Sequence, residues 1–182
     1  MSVHQLKEIL KPPSSPCNNG LEQNWKDVHK EIGTRLPDDY QHFINGYGSG
    51  LIGRFLYIWN PFSDNKYTNL IYMYKETTIL YQNLKSSQPD DFPFNIYPEN
   101  GGLLPFGNSI NGDNLFWLTT KSDPNLWSLI IHQARSSYYD IHSYSLSDFL
   151  IRLMRKELQT SQFIYEASIN LSKGFEKLEE DI

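Results

Sequence analysis

Short β-prone runs alternate with turn-forming residues from Phe94 to Tyr144. The runs are FNIY, LLPFG, NLFWLTT, WSLIIHQ and YYDIHSY, and Asn111-Gly112-Asp113 and Ser122-Asp123-Pro124-Asn125 are two of the turns between them. This spacing is typical of neighbouring strands joined by tight turns. The segment therefore predicts an antiparallel meander, which any fold of this chain has to contain.

Apolar residues at helical spacing flank the meander on both sides. The spacing predicts helices over about residues 1–10, 21–32, 37–45, 68–85 and 145–158. Leu51 to Trp59 is rich in branched and aromatic residues and is predicted as one strand. Helices first, strands together and then a helix is an α+β order. The predicted fold class is α+β, with helices packed on a mainly antiparallel, twisted sheet.

Composition shifts suggest three parts of the chain. Prolines 12, 13 and 16 end the first short helix, so residues 1–20 are predicted as an N-terminal extension and linker. Residues 21–158 form the predicted domain. The apolar pattern weakens after Gln159, and residues 159–182 are predicted as a helical or flexible tail.

Charge and hydropathy exclude several classes of function. The formal net charge is −5, which disfavours binding to a nucleic-acid backbone, because that mode needs clustered Lys and Arg. The longest apolar run, Phe55 to Trp59, is far shorter than the ~20 residues of a membrane-spanning helix. The first residues lack the apolar core of a secretory signal, and Cys17 is the only cysteine. These features predict a cytoplasmic protein.

The residues Gly48-Ser49-Gly50-Leu51-Ile52-Gly53 match the dinucleotide fingerprint G-x-G-x-x-G. That fingerprint needs a strand before the glycines and a helix after them, so that the pyrophosphate meets the helix N-terminus. Here a predicted helix precedes the glycines and a predicted strand follows them. We therefore expect a chain reversal and no bound cofactor.

Candidate catalytic and metal-binding residues are dispersed along the chain. The five histidines include no i, i+4 pair, and neither a G-x-S-x-G elbow nor a P-loop is present. His132 and His142 lie on adjacent predicted strands, where they could meet across the sheet. The sequence predicts no metal site and no enzyme, although a hydrolase stays open if residues distant in sequence converge in a pocket.

The order of these motifs resembles the SUKH superfamily, which groups fungal cell-wall-synthesis regulators with bacterial toxin-immunity proteins. The resemblance runs from about Leu21 to Leu158 and rests on an ordered set of residues: Trp25, Ile32-Gly33, Leu36-Pro37-Asp38-Asp39-Tyr40, Asn45 to Gly50, Phe55 to Pro61, Pro98 to Gly107, Asn111 to Trp117, Trp127 and Phe149-Leu150. It implies an α+β domain without catalytic residues or cofactor. It also implies that a bacterial member binds and neutralises a cognate toxin, often a nuclease or another enzyme.

The resulting hypothesis is an immunity-type protein that occludes the active site of a toxin. The alternative is a regulatory scaffold in cell-wall or envelope synthesis. Residues 61–120 are the most acidic third of the chain, and charge complementarity speeds association with a basic partner. Tyrosine suits protein recognition because it supplies a large contact area. The candidate partner-binding residues are Asp90, Asp91, Glu99, Asp113, Tyr138 and Tyr139.

Overall fold

A computed structural model describes residues 3–20, 22–158 and 161–178 of the chain. The helices in these residues are α1 (Val3–Ile9), α2 (Glu22–Ile32), α3 (Asp38–Tyr47), α4 (Leu70–Ser87), α5 (Leu146–Met154) and α6 (Gln162–Asn170). The strands are β1 (Gly50–Ile52), β2 (Leu56–Ile58), β3 (Leu103–Ser109), β4 (Asn114–Leu118), β5 (Ser128–His132), β6 (Tyr139–His142) and β7 (Phe175–Lys177).

The strands form one sheet in the order β6-β5-β4-β3-β2-β1-β7, and every neighbouring pair is antiparallel. Strands β3 to β6 are consecutive neighbours, so the predicted meander is confirmed. Six helices and an antiparallel sheet among the described residues confirm the α+β class. The FNIY run is an exception, because it contributes only an isolated bridge between Ile96 and Leu103.

The predicted single strand over Leu51 to Trp59 is wrong. It is a hairpin in which β1 and β2 pair with Ile52 opposite Leu56. Gly53 and Arg54 both have positive φ, 64° and 54°, and the Phe55 N–H donates to the Ile52 carbonyl at 3.0 Å. Two consecutive positive φ angles make the tight turn that matches the twist of a two-stranded hairpin. The unbroken apolar run obscured this turn.

Both ends of the described chain pack against the predicted domain. On α1, Leu6 is fully buried, and Tyr47 donates its hydroxyl to the Leu10 carbonyl at 2.6 Å. Near the C-terminus, β7 adds a strand to β1, with Gly50 opposite Lys177. The boundaries at 20/21 and 158/159 remain a prediction, and residues 159–160 and 179–182 of the predicted tail lie outside the described residues.

The sheet carries apolar side chains on both faces. The first face bears Leu104, Leu115, Trp117, Leu129 and Ile131, which join the main core beneath α1, α3 and α5. The second face bears Leu103, Phe116 and Ile130, and these pack against Tyr81 of α4, Phe92 and Ile96. The fold is therefore a sheet between two layers, with α4 and the 88–97 segment covering the second face.

Candidate functional site

A groove of about 570 Å³ lies on the second face of the sheet, at the end where β5 turns into β6. We call it the α4 groove. Leu80, Tyr81 and Leu84 of α4 line one side together with Phe92. Residues 134–137 of the β5–β6 turn line the other side, and Asp91 and Asn114 also border the groove.

A hydrogen-bonded chain forms the floor of the α4 groove. The Tyr81 hydroxyl lies 2.5 Å from His132 Nδ1, and His132 Nε2 lies 2.7 Å from the Ser136 carbonyl oxygen. A carbonyl can only accept, so Nε2 donates to it and Nδ1 of the neutral ring accepts the tyrosine proton. Asn114 Nδ2 then donates to the Tyr81 oxygen at 3.3 Å. This chain ties the β5–β6 turn to α4.

Burial favours the uncharged forms of Tyr81 and His132. It lowers the pKa of His132, against the opposing effects of the Ser136 carbonyl and Asp113. It raises the pKa of Tyr81, with a smaller contribution from Tyr139. The polar atoms of Tyr81 and His132 are hydrogen-bonded to other residues of the protein. A partner would therefore meet the rim of the groove rather than its floor.

The rim brings acidic and aromatic groups together. The ring of Tyr139 stacks on His132 with 4.4 Å between centroids, since these residues are directly opposite on β6 and β5. Burial and the nearby Asp91 carboxylate raise the pKa of Tyr139 to about 12. Asp90 and Asp91 are exposed, and neither forms an ion pair with a described residue. The rim thus presents the Asp91 carboxylate beside a tyrosine, with Arg135 on the other side of the groove.

The structure distributes the six candidate residues unevenly. Asp91 and Tyr139 meet at the α4 groove, and Asp90 adjoins Asp91 in the same loop. Tyr138 is 54% exposed next to Tyr139. Glu99 is exposed but lies at the opposite end of β3, in the turn where its N–H donates to the Ile96 carbonyl.

Asp113 differs from the other five because it is only 7% exposed. Its Oδ2 accepts from the Ser109 hydroxyl at 2.5 Å, and its Oδ1 accepts from the Ala134 N–H at 2.9 Å. The first bond closes the β3–β4 turn, and the second joins that turn to the β5–β6 turn. The carboxylate therefore supports the end of the sheet that carries the α4 groove.

Three features of the site were missed from the sequence. Leu80 shares the helical spacing of the apolar residues of α4 but is 51% exposed, and Ile79 beside it is 55% exposed. Arg135 borders the groove with a positive φ of 59°. The exposure of Leu80 could have been predicted, because α4 has more apolar residues than one buried face requires. Nothing in the sequence indicated that Arg135 would border the groove.

His132 and His142 do not meet, contrary to the sequence-based hypothesis. Their partners across β5 and β6 are Tyr139 and Leu129, and side chains alternate along each strand. His132 therefore points to the second face. His142 points to the first, where its ring lies 5.1 Å from that of Phe149.

The glycines of the G-x-G-x-x-G segment contact the chain itself. A Cβ atom on Gly48, whose φ is +70°, would lie 2.0 Å from the Cys17 carbonyl oxygen, and one on Gly50 would overlap Phe175. The segment joins α3 to β1 and has no helix after it. Its glycines are thus explained by packing within the chain. Among the described residues, no group of three or more His, Cys, Asp or Glu is arranged to hold a metal ion.

The fold and the α4 groove define an α+β domain with a groove of aromatic and charged side chains, Asp91 and Arg135 among them, at one end of its sheet. The sequence matches the family SUKH_6, described as SMI1-KNR4 cell-wall, over residues 22–150. This match covers well over half of the chain, which therefore belongs to the SUKH superfamily. No curated protein and no solved structure matches the chain. In the described parts of the chain, every helix is too short or too polar to span a bilayer.

Proposed function

We propose that this protein is a non-enzymatic, cytoplasmic immunity protein that neutralises a toxin by covering its active site. The observation that carries the proposal is the rim of the α4 groove. There the exposed Asp91 carboxylate lies near Tyr139, and the exposed Leu80 lines the same groove. Asp90, the exposed neighbour of Asp91 in the chain, adds a second carboxylate to the same loop. Family membership supports a role in protein binding.

Each part of the rim has a role in binding. The two carboxylates attract a basic enzyme surface and raise the rate of association. Tyr139 and Leu80 supply contact area that excludes water once the partner is seated. Enzymes that act on nucleic acids carry basic surfaces, because they must hold a phosphate backbone. A basic toxin domain, such as a nuclease, is therefore the partner class that this rim fits.

The test uses the toxin domain encoded beside the gene for this protein. Asp91→Lys should lower its association rate roughly 3- to 10-fold and flatten the dependence of that rate on salt. Glu8→Lys is the matched control, because it changes the net charge equally at an exposed position of α1. Binding kinetics measured at two salt concentrations give the comparison. Equal rates for both variants would remove Asp91 from the interface.

The alternative proposal is a regulatory scaffold in cell-wall synthesis. The description of the matching family, SMI1-KNR4 cell-wall, favours it. In that case the same rim would contact a cell-wall protein of the host. A neighbouring gene for cell-wall synthesis, together with capture of its product by the tagged protein, would support the scaffold over the immunity protein.

A further inference from the structure

The turn between β5 and β6 holds an arginine in an uncommon backbone conformation. Arg135 has a φ of 59°, in the left-handed region that glycine and asparagine adopt most readily. Arg54, in the β1–β2 hairpin, is the one other arginine with a positive φ among the described residues, at 54°. The two side chains share a backbone conformation but differ in what they contact.

Arg135 is the unpaired arginine of the described chain. The sequence contains five arginines. The other four form ion pairs with carboxylates of the described residues: Arg35, Arg54, Arg152 and Arg155. Arg54, for example, donates from Nε to Glu176 at 2.6 Å. Arg135 is exposed and pairs with no described carboxylate, so its guanidinium is free to bind a second molecule.

Hydrogen bonds hold the backbone on both sides of Arg135. The Ala134 N–H donates to Asp113 Oδ1 at 2.9 Å, and the Ser136 carbonyl accepts from His132 Nε2 at 2.7 Å. A turn that is already ordered loses little conformational freedom when a partner binds. The turn therefore presents the Arg135 guanidinium from a fixed base, next to the α4 groove.

The α4 groove carries charges of both signs. Asp91 borders it beside Phe92, Arg135 borders it on the side of the β5–β6 turn, and the two form no ion pair with each other. We propose that Arg135 determines which toxin is bound, by pairing with a carboxylate at the toxin's active site while Asp91 contacts the basic surface around it. Arginine suits this contact because its planar guanidinium bonds both oxygens of a carboxylate. This inference rests on the proposed function.

An enzyme that cleaves nucleic acid combines the two features that these charges fit. Its basic side chains hold the phosphate backbone, and its active-site carboxylates hold a divalent cation. A guanidinium and a metal ion both balance the charge of such carboxylates. Arg135 would therefore take the place of the cation, and the partner class becomes a toxin whose metal-binding carboxylates lie within a basic surface.

Binding of the toxin domain encoded beside the gene for this protein tests the contact. Arg135→Asn removes the charge but suits the positive φ, so its urea midpoint should be no lower than that of the wild-type protein. Its Kd should rise about 30-fold, the loss expected for an interface hot spot. A Kd equal to that of the wild-type protein would overturn the proposal.

Arg54→Asn is the matched control. It removes the same charge at a similar φ, in a hairpin that β3 and β4 separate from the β5–β6 turn. At about 4.8 Å per strand, the two turns are roughly 19 Å apart. The Kd of this variant should change less than about twofold, as for a residue outside the hot spot. Equal losses of affinity in the two variants would also overturn the proposal, because any surface arginine would then have the same effect.

Mg²⁺ distinguishes an active-site carboxylate from one elsewhere on the toxin. The Kd of the wild-type protein should be higher in Mg²⁺ than in EDTA at the same ionic strength, because the metal must leave before Arg135 can enter. Arg135→Asn should lose this dependence, and an equal dependence in both proteins would refute the active-site contact. A toxin domain that does not bind the wild-type protein would refute the proposed function itself, whereas full binding by Arg135→Asn would refute only this inference.

Discussion

Replacing Tyr81 by Phe tests whether the polar chain beneath the α4 groove stabilises the fold. The substitution removes the hydroxyl that donates to His132 Nδ1 and accepts from Asn114 Nδ2. The ring stays in contact with Phe116 and Phe92, at centroid distances of 4.9 and 5.7 Å. The change therefore isolates the hydrogen bonds from the packing.

The expected cost follows from what the substitution leaves behind. His132 is only 6% exposed, so its Nδ1 becomes a buried acceptor without a donor. Such a group costs about 1–3 kcal/mol. In a chain of this length each kcal/mol lowers Tm by about 2–4 °C, which gives a fall of about 2–12 °C.

Urea denaturation of Tyr81→Phe, followed by circular dichroism, measures this free energy of unfolding. Tyr67→Phe is the matched control, because Tyr67 is 64% exposed and makes no side-chain hydrogen bond to a described residue. We expect the control to change the free energy by less than about 0.5 kcal/mol. A Tyr81→Phe variant as stable as the control would refute the role assigned to the Tyr81–His132 bond.

Two further predictions concern pH and backbone strain. Burial lowers the folded-state pKa of His132, so the unfolded chain takes up a proton first as the pH falls. The free energy of unfolding should therefore decrease below about pH 6.5. Urea midpoints at pH 7.5 and 5.5 measure this change, and His132→Gln should reduce the difference between them. Gly53→Ala should destabilise the chain more than Gly174→Ala, since both glycines have positive φ but only a Cβ on Gly53 would meet the Asn170 carbonyl oxygen, at 2.5 Å. Equal melting temperatures for the two alanine variants would contradict the predicted clash.

Elements with a strong local period could be predicted from the sequence. The helix α2 follows the spacing of Trp25, Val28 and Ile32, and the meander follows its turns. The strand β7 could not be predicted, because three residues, Phe-Glu-Lys, carry no alternation and their partner strand β1 lies more than 120 residues earlier. Pairing over that distance depends on the packing of α6, which local patterns do not report.

The sequence indicated which types of residue form the candidate site but not where they lie in space. Asp91 and Tyr139 were each selected for their chemistry, but their proximity depends on how the 88–97 segment crosses the second face. Polarity placed Asp113 on the surface, whereas two internal hydrogen bonds hold it in a buried position. The pairing of Tyr81 with His132 joins residues 51 positions apart and leaves no local signal.

Inhibition of the neighbouring toxin domain is the most direct test of the proposed function. The toxin's enzymatic activity would be titrated with the wild-type protein, Asp91→Lys and Glu8→Lys. We expect wild-type protein and Glu8→Lys to inhibit at close to equimolar amounts, and Asp91→Lys to need more protein for the same inhibition. A toxin that remains fully active with excess wild-type protein would contradict neutralisation, and equal inhibition by all three would place the interface away from the α4 groove.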